Sequence, residues 1–257
     1  MKIATWNVNS IRARKEHLLQ WLTDNTPDVL CLQETKVVDN DFPAMDIQAA
    51  GYECAFIGQK AYNGVAILSR HPITQVVAGF DGTNTEAQKR LIAAQINGVT
   101  IVNAYVPQGS EVTSDKFDYK QTFLRDLRQY FDQRHSPADP VVFVGDINIA
   151  PDERDVYSPD EMEGQVSFTA IEHQLLAELQ DWGFTDLFRQ FETEGGHYSW
   201  WDYRQGAFRR NRGMRIDLIL TSASMTEKAG QCYIDRTPRS WEKPSDHAPM
   251  VASFDLG

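Results

Sequence analysis

Residues 141–148 read Val141-Val142-Phe143-Val144-Gly145-Asp146-Ile147-Asn148, and they organise the interpretation of the whole chain. A β-branched and aromatic run of this length predicts a buried strand. The glycine behind it predicts a turn that lifts the Asp146 carboxylate and the Asn148 carboxamide clear of the strand end. An acid and an amide two residues apart on a rigid strand end can orient a water molecule and contact a phosphate. Four further strand-end sites share this character: Trp6-Asn7-Val8-Asn9, Gln33-Glu34-Thr35, Arg215-Ile216-Asp217 and Ser245-Asp246-His247. Any single Asp so placed is most often a turn former or a helix cap. Five such sites in one chain point to one divalent-metal centre that cleaves a phosphodiester.

Outward from that run, strands are predicted over residues 2–8, 28–33, 52–57, 64–69, 198–201, 215–221 and 250–254. Residues 91–96 and 100–106 predict a hairpin joined at Asn97-Gly98, a strong turn signal. Helical periodicity covers residues 11–24, with Ser10 as the cap, then residues 116–134 and a stretch near 171–181. Strands dominate, so two packed sheets with helices on their outer faces are expected. A doubly wound parallel sheet ranks second, and no Gly-x-Gly-x-x-Gly or phosphate loop supports its nucleotide-binding forms. No linker-like segment divides the chain, and residues 1–257 are expected to form a single domain.

The composition, 42% hydrophobic and 24% charged, is that of an ordinary soluble protein. No apolar run approaches the roughly 18 residues of a membrane span. The opening Met1-Lys2-Ile3-Ala4-Thr5-Trp6-Asn7 lacks a signal-peptide core, so a cytoplasmic location is expected. Cys31, Cys54 and Cys232 are not spaced as metal ligands, and Cys31 reads as a small core residue in a reducing compartment. The net charge of −11 argues against tight non-specific DNA binding, but its distribution matters more than its sum. Residues 204–215 carry Arg204, Arg209, Arg210, Arg212 and Arg215 with no acid between them. Asp152, Glu153, Asp155, Asp160, Glu161 and Glu163 collect in one loop-like region.

A hard cation such as Mg²⁺ takes one or two carboxylates, with water and substrate phosphate completing its shell. Glu34, directly behind a buried strand, is placed to serve. Asp217 opens the apolar strand Leu218-Ile219-Leu220 and is expensive to bury unpaired. His247 is its natural partner, since a carboxylate fixes the imidazole tautomer and favours its protonated form. A purely structural Asp–His hydrogen bond is the plainer alternative. Tyr105 ends another strand and can donate to a phosphate oxygen, although such tyrosines are more often half-buried packing. Of the adjacent Trp200 and Trp201, one is expected in the core and the other free to meet a nucleic acid beside the arginines.

Taken in order, these segments resemble a known family. Trp6-Asn7-Val8-Asn9, Gln33-Glu34-Thr35, Asn63-Gly64-Val65-Ala66, Tyr105-Val106-Pro107-Gln108-Gly109, Gly145-Asp146-Ile147-Asn148, Trp200-Trp201-Asp202-Tyr203-Arg204, Asn211-Arg212-Gly213-Met214-Arg215-Ile216-Asp217 and Ser245-Asp246-His247-Ala248-Pro249 look like the exonuclease III branch of the apurinic/apyrimidinic endonucleases. The resemblance implies a four-layered α/β sandwich of two mixed sheets flanked by helices. It implies Mg²⁺, with Mn²⁺ able to substitute, held by a set drawn from Asn7, Glu34, Asp146, Asn148, Asp246 and His247, with Glu34 the principal ligand. Asp146 would prepare the attacking water and Asn148 would hold the phosphate. His247, oriented by Asp217, and Tyr105 would contact its oxygens. Trp200, Met214 and Ile216 would line a pocket for an abasic sugar, and Arg90 and Lys116 would lie near the DNA.

The implied substrate is double-stranded DNA with abasic sites or blocked 3′ ends, and the implied protein is a monomer with no membrane role. The implied activities are cleavage 5′ to the abasic site, a 3′→5′ exodeoxyribonuclease and a 3′-phosphatase. Vertebrate relatives carry an aromatic residue in place of Met214, so the pocket wall should be softer here. The acidic stretch at 152–163 would weaken binding if it faced DNA. A phosphatase or phosphodiesterase of the same fold acting on a non-DNA phosphoester is the enzymatic alternative. A silent DNA-binding module is disfavoured, because Glu34, Asp146, Asn148, Asp246 and His247 are all present.

Overall fold

A computed structural model of the chain describes residues 1–82 and 88–257. Among these, in chain order, lie β1 (Lys2–Asn7), β2 (Val29–Gln33), β3 (Glu53–Ile57), β4 (Val65–Ser69), β5 (Thr74–Ala78), β6 (Leu91–Ile96), β7 (Val99–Tyr105), β8 (Val141–Asp146), β9 (Thr185–Asp186), β10 (Asp217–Thr221), β11 (Ala229–Ile234) and β12 (Met250–Phe254). They form two six-stranded sheets, ordered β11-β12-β1-β2-β4-β3 and β5-β6-β7-β8-β10-β9. The doubly wound alternative is thereby excluded.

Each sheet contains one parallel pair, β1–β2 and β7–β8, and the remaining pairings are antiparallel. Parallel neighbours need a crossover. The helix Lys15–Asn25 supplies it for β1–β2 and the helix Asp115–Arg134 for β7–β8. Parallel strands finish on the same edge, so Asn7, Glu34, Tyr105 and Asp146 all arrive at strand ends. Antiparallel β10 begins where β8 stops, which sets Asp217 directly opposite Asp146. Strand polarity alone thus gathers most of the candidate site.

The apolar run Val141–Val144 is buried on both faces. Val142 and Val144 point into the layer between the sheets with Ile3, Cys31, Ile67 and Ile219. Val141 and Phe143 point the other way, beneath Leu127 and Phe131 of one helix and Leu175 and Leu179 of the helix Ala170–Gln180. Leu18, Trp21 and Leu22 cover the outer face of the first sheet against Trp6, Leu30 and Leu32. The architecture is helix, sheet, sheet, helix. No helix among the described residues is long and apolar enough to cross a membrane.

Three buried polar side chains cross the apolar layer between the sheets. Gln33 Nε2 donates to Thr5 Oγ1 at 2.8 Å and to Asn103 Oδ1 at 2.7 Å. Asn103, on β7 of the second sheet, donates to the Leu32 and Ala66 carbonyls of the first at 3.0 and 2.9 Å.

Several expectations change. Gly145 is not a turn residue, because β8 runs through it to Asp146. Its backbone has φ 148°, and a Cβ there would lie 1.9 Å from the Ala104 carbonyl oxygen, so glycine lets β7 and β8 approach. Ser10 does not cap a helix. Its N–H and that of Ile11 bond the Glu34 and Thr35 carbonyls at 2.8 and 3.1 Å, and the helix starts only at Lys15. Residues 198–201 form isolated bridges, Trp200 to Met214 and to His247, rather than a strand. Edge strands β5, β9 and β11 escaped the pattern because their exposed or short segments carry no clean alternation. Gly145→Ala should lower unfolding stability by roughly 2–4 kcal/mol, from a strained φ plus backbone overlap, read as a shift in the urea midpoint.

Candidate active site

Loops at the shared sheet edge hold their side chains in unusual backbone conformations. Asn9, Ser10, Glu34, Lys36 and Asn148 all have positive φ, between 42° and 88°. Left-handed backbone is unfavourable for residues other than glycine and, to a lesser degree, asparagine. Such strain persists only where the surroundings impose it, and these five of the fifteen left-handed non-glycine residues described lie on loops around one cavity. Gly64 helps to impose it: a Cβ there would fall 2.1 Å from Thr35 Oγ1, while the Gly64 carbonyl accepts from Thr35 N at 3.1 Å.

The cavity, of about 280 Å³, is lined by Glu34, Tyr105, Asp146, Asn148, Trp200, Met214, Ile216, Asp246 and His247, with Gln108, Val166 and Ser167 completing the wall. Asn7 lies beneath as a cross-brace, its Nδ2 donating to Glu34 Oε1 at 2.7 Å and to Asp146 Oδ2 at 2.8 Å. Asn148 N donates to Asp146 Oδ1 at 3.1 Å, and its side-chain amide to the Val106 carbonyl at 3.0 Å. Asp246 is held by Asn9 Nδ2 at 2.9 Å and Trp200 Nε1 at 3.0 Å.

His247 is buried between two acids. Its Nδ1 lies 2.8 Å from Asp217 Oδ2, and its Nε2 lies 3.7 Å from Asp146 Oδ2. Burial disfavours the charged ring, but Asp217 and then Asp146 outweigh it and push the imidazole pKa up to about 10. Asp217 is itself fixed by backbone, because Ser199 Oγ accepts from the Ile216 and Asp217 N–H groups, both at 3.1 Å. Burial lifts Asp146 to about 7 against the pull of His247. A carboxyl near neutrality is well matched to taking a proton from water. Burial, Glu34 and Asp146 push Tyr105 well above its ordinary value, so it stays a phenol and a hydrogen-bond donor. Burial opposes ionisation of Asp246, but His247, Asn9 and Trp200 hold it below the usual carboxylate range.

The donor set suits a hard cation. Glu34, Asp146 and His247 each present a ligand atom, all within 4.8 Å of one another. Lys36 Nζ sits 2.7 Å from Glu34 Oε2, so the protein already places one positive charge at these acids. Glu34 and Asp146 offer the oxygen donors of that cluster and His247 a ring nitrogen. Asp246 lines the cavity, but its oxygens are engaged by Asn9 and Trp200 outside that cluster.

Comparison with known proteins agrees with this geometry. Residues 4–247 match the Endonuclease/Exonuclease/phosphatase family. The chain belongs to that family. It is 38% identical to exodeoxyribonuclease III of Haemophilus influenzae over 99% of this chain and 100% of that protein. Its structure resembles an AP endonuclease from Archaeoglobus fulgidus at TM-score 0.96 and 41% identity, covering 100% of both chains. It also resembles the 3′ phosphatase NExo from Neisseria bound to a product DNA hairpin, at TM-score 0.95 and 40% identity over 99% of each.

Not every predicted residue joins the cavity of this family member. Arg90 stands beside it, its guanidinium 4.6 Å over the Tyr105 ring. Lys116 is exposed on the first turn of its helix and does not line the site. Arg215 is not a surface cation: it is fully buried, paired with Asp155 at 2.6 Å and Asp186 at 2.7 Å. Asp155, from the acidic stretch, is therefore an internal counter-ion, and Arg212 pairs outward with Glu161 at 2.8 Å. Trp201 is buried while Trp200 is half-buried, as their opposite faces predicted. Asn9, Lys36 and Ser199 were missed, although Lys36 stands two residues beyond Glu34, a spacing that could have flagged it. In metal-free protein, Asp217→Asn should lower the His247 titration midpoint by roughly one pH unit or more, because a carboxylate that favours the charged ring is lost. Ring-proton NMR across pH would show it, and an unmoved midpoint would exclude Asp217 as the cause.

Proposed function

We propose that this protein is a DNA-repair phosphodiesterase that hydrolyses the bond 5′ to an abasic site in duplex DNA, with 3′→5′ exonuclease and 3′-phosphatase activities. One observation carries the reading: Glu34, Asp146 and the Asp217–His247 pair converge on a cavity whose far wall is apolar, built from Trp200, Met214 and Ile216. The similar proteins named as exodeoxyribonuclease III, AP endonuclease and 3′ phosphatase support it. The chain is taken to act as one unit and as a monomer.

Asp146 accepts a proton from the attacking water as the oxygen adds to phosphorus and the bond to the 3′ oxygen breaks. Asn7 keeps Asp146 and Glu34 in register, and Asn148 positions the phosphate. The His247 imidazolium and the Tyr105 phenol donate to non-bridging oxygens, where charge grows in the transition state. Mg²⁺, held by Glu34 and Asp146, would supply Lewis-acid neutralisation of the phosphate and the departing oxygen.

The apolar wall fits a sugar without a base. Extruding such a nucleotide costs less than extruding an intact one, because little stacking is lost. Exposed Arg204, Arg209 and Arg210, with the exposed Tyr203 ring, offer phosphate contacts beside that wall.

Incubation with an abasic duplex should yield cleavage in Mg²⁺ and none with chelator. Activity only on small or lipid phosphoesters would favour the non-DNA phosphatase reading instead. Asp146→Asn is expected to keep duplex binding within about threefold while turnover falls roughly 10²- to 10⁴-fold. Trp200→Ala should erode the preference for abasic over intact duplex ends more than it slows cleavage, as the ratio of the two rates will report.

A further inference from the structure

Lys120 lies on the apolar side of the helix Asp115–Arg134, near Phe117, Phe123 and Leu124, and is fully buried. An ammonium there must be paired, since an isolated buried charge is strongly unfavourable. Its partner is Glu172, also fully buried, in the first turn of the helix Ala170–Gln180. The other bonds of this pair carry the information. Lys120 Nζ donates to the Asn148 carbonyl at 2.7 Å and to the Gln108 carbonyl at 3.2 Å. Glu172 accepts from Ser167 N at 2.9 Å and, in a capping box, from Thr169 N and Oγ1 at 3.0 and 2.7 Å. Gln108, Asn148 and Ser167 sit on three separate loops, and all three line the candidate active site.

We propose that Lys120 is a positioning residue for phosphodiester hydrolysis, fixing three walls of the active cavity against one another from beneath. The proposal rests on the nuclease reading above. Asn148 has φ 55°, and the bond to its carbonyl holds that conformation, which in turn keeps its N–H on Asp146 Oδ1. Packing does not require a charge here. Apolar residues of similar volume commonly replace a buried ion pair without loss of stability. What they cannot supply is a set of directed bonds to loop carbonyls.

That difference gives the test. Lys120→Met alone strands a buried carboxylate, so the informative variant is Lys120→Met/Glu172→Gln, which removes both charges and keeps a residue able to close the capping box. Thermal unfolding should stay cooperative and within about 5 °C of the parent. On abasic duplex in Mg²⁺, kcat should fall at least roughly tenfold, with KM and the Mg²⁺ midpoint moving less than about threefold. Glu172→Gln alone strands the buried ammonium but leaves it on both carbonyls, so, assayed at a temperature where every variant is fully folded, it should lose several-fold less in kcat. Parental kcat in the double variant, an equal loss in Glu172→Gln alone, or a loss confined to KM or Mg²⁺ affinity would each overturn the proposal. So would loss of cooperative unfolding, which assigns the pair to the fold. A parent protein that fails to cleave abasic duplex refutes the nuclease reading itself, and is distinguished by that measurement.

Discussion

The hydrogen-bonded bridge of Thr5, Gln33 and Asn103 between the two sheets is the constraint on which the site depends. Apolar side chains alone would hold two sheets face to face, but they tolerate sliding, because hydrophobic contact has no direction. Asn103 bonds two carbonyls of the opposite sheet and one side chain, so it admits a single offset. Gln33 immediately precedes Glu34 in chain, and Asn103 lies two residues before Tyr105. The bridge therefore sets the spacing between groups contributed by different sheets. Buried polar networks of this kind specify one arrangement of the groups they join.

Charge is handled by the same economy at the cavity floor. Asp146, Asp217 and His247 are all removed from water, and the ring is what makes the two acids tolerable. Removing it would leave two like charges buried together, and even beside it Asp217 Oδ1 has no hydrogen-bond partner. The acids on either side favour the charged form of the ring, while burial lifts the carboxyl that faces the cavity to about 7. Arg215 with Asp155 and Asp186 repeats this arrangement one residue from Ile216 and anchors the apolar wall to the start of β10.

Much of this was legible in the residues. Val141–Val144 announced a doubly buried strand, and the amides and acids at strand ends announced a shared edge. Asp217 was recognised because a carboxylate heading an apolar strand needs a reason. What stayed hidden followed from contacts between remote segments. Ser10 has the chemistry of a cap, yet its backbone is claimed by the Glu34 loop. Five arginines looked like a continuous cationic surface until Asp155 and Asp186 drew Arg215 inside. Lys116 and Lys120 are one helical turn apart, and only their environment separates an exposed cation from a buried strut. Edge strands such as β5 and β11 are half in water, so no periodic pattern marked them.

The left-handed residues around the cavity have a consequence for protein engineering. A side chain held at positive φ stores conformational energy of order 1 kcal/mol that glycine would release. A selection for heat tolerance alone would thus be drawn toward the rim, where exchanging Glu34 or Lys36 for glycine relaxes the backbone while deleting the groups that give the cavity its chemistry. Durability and competence are set against each other in the same few peptide units.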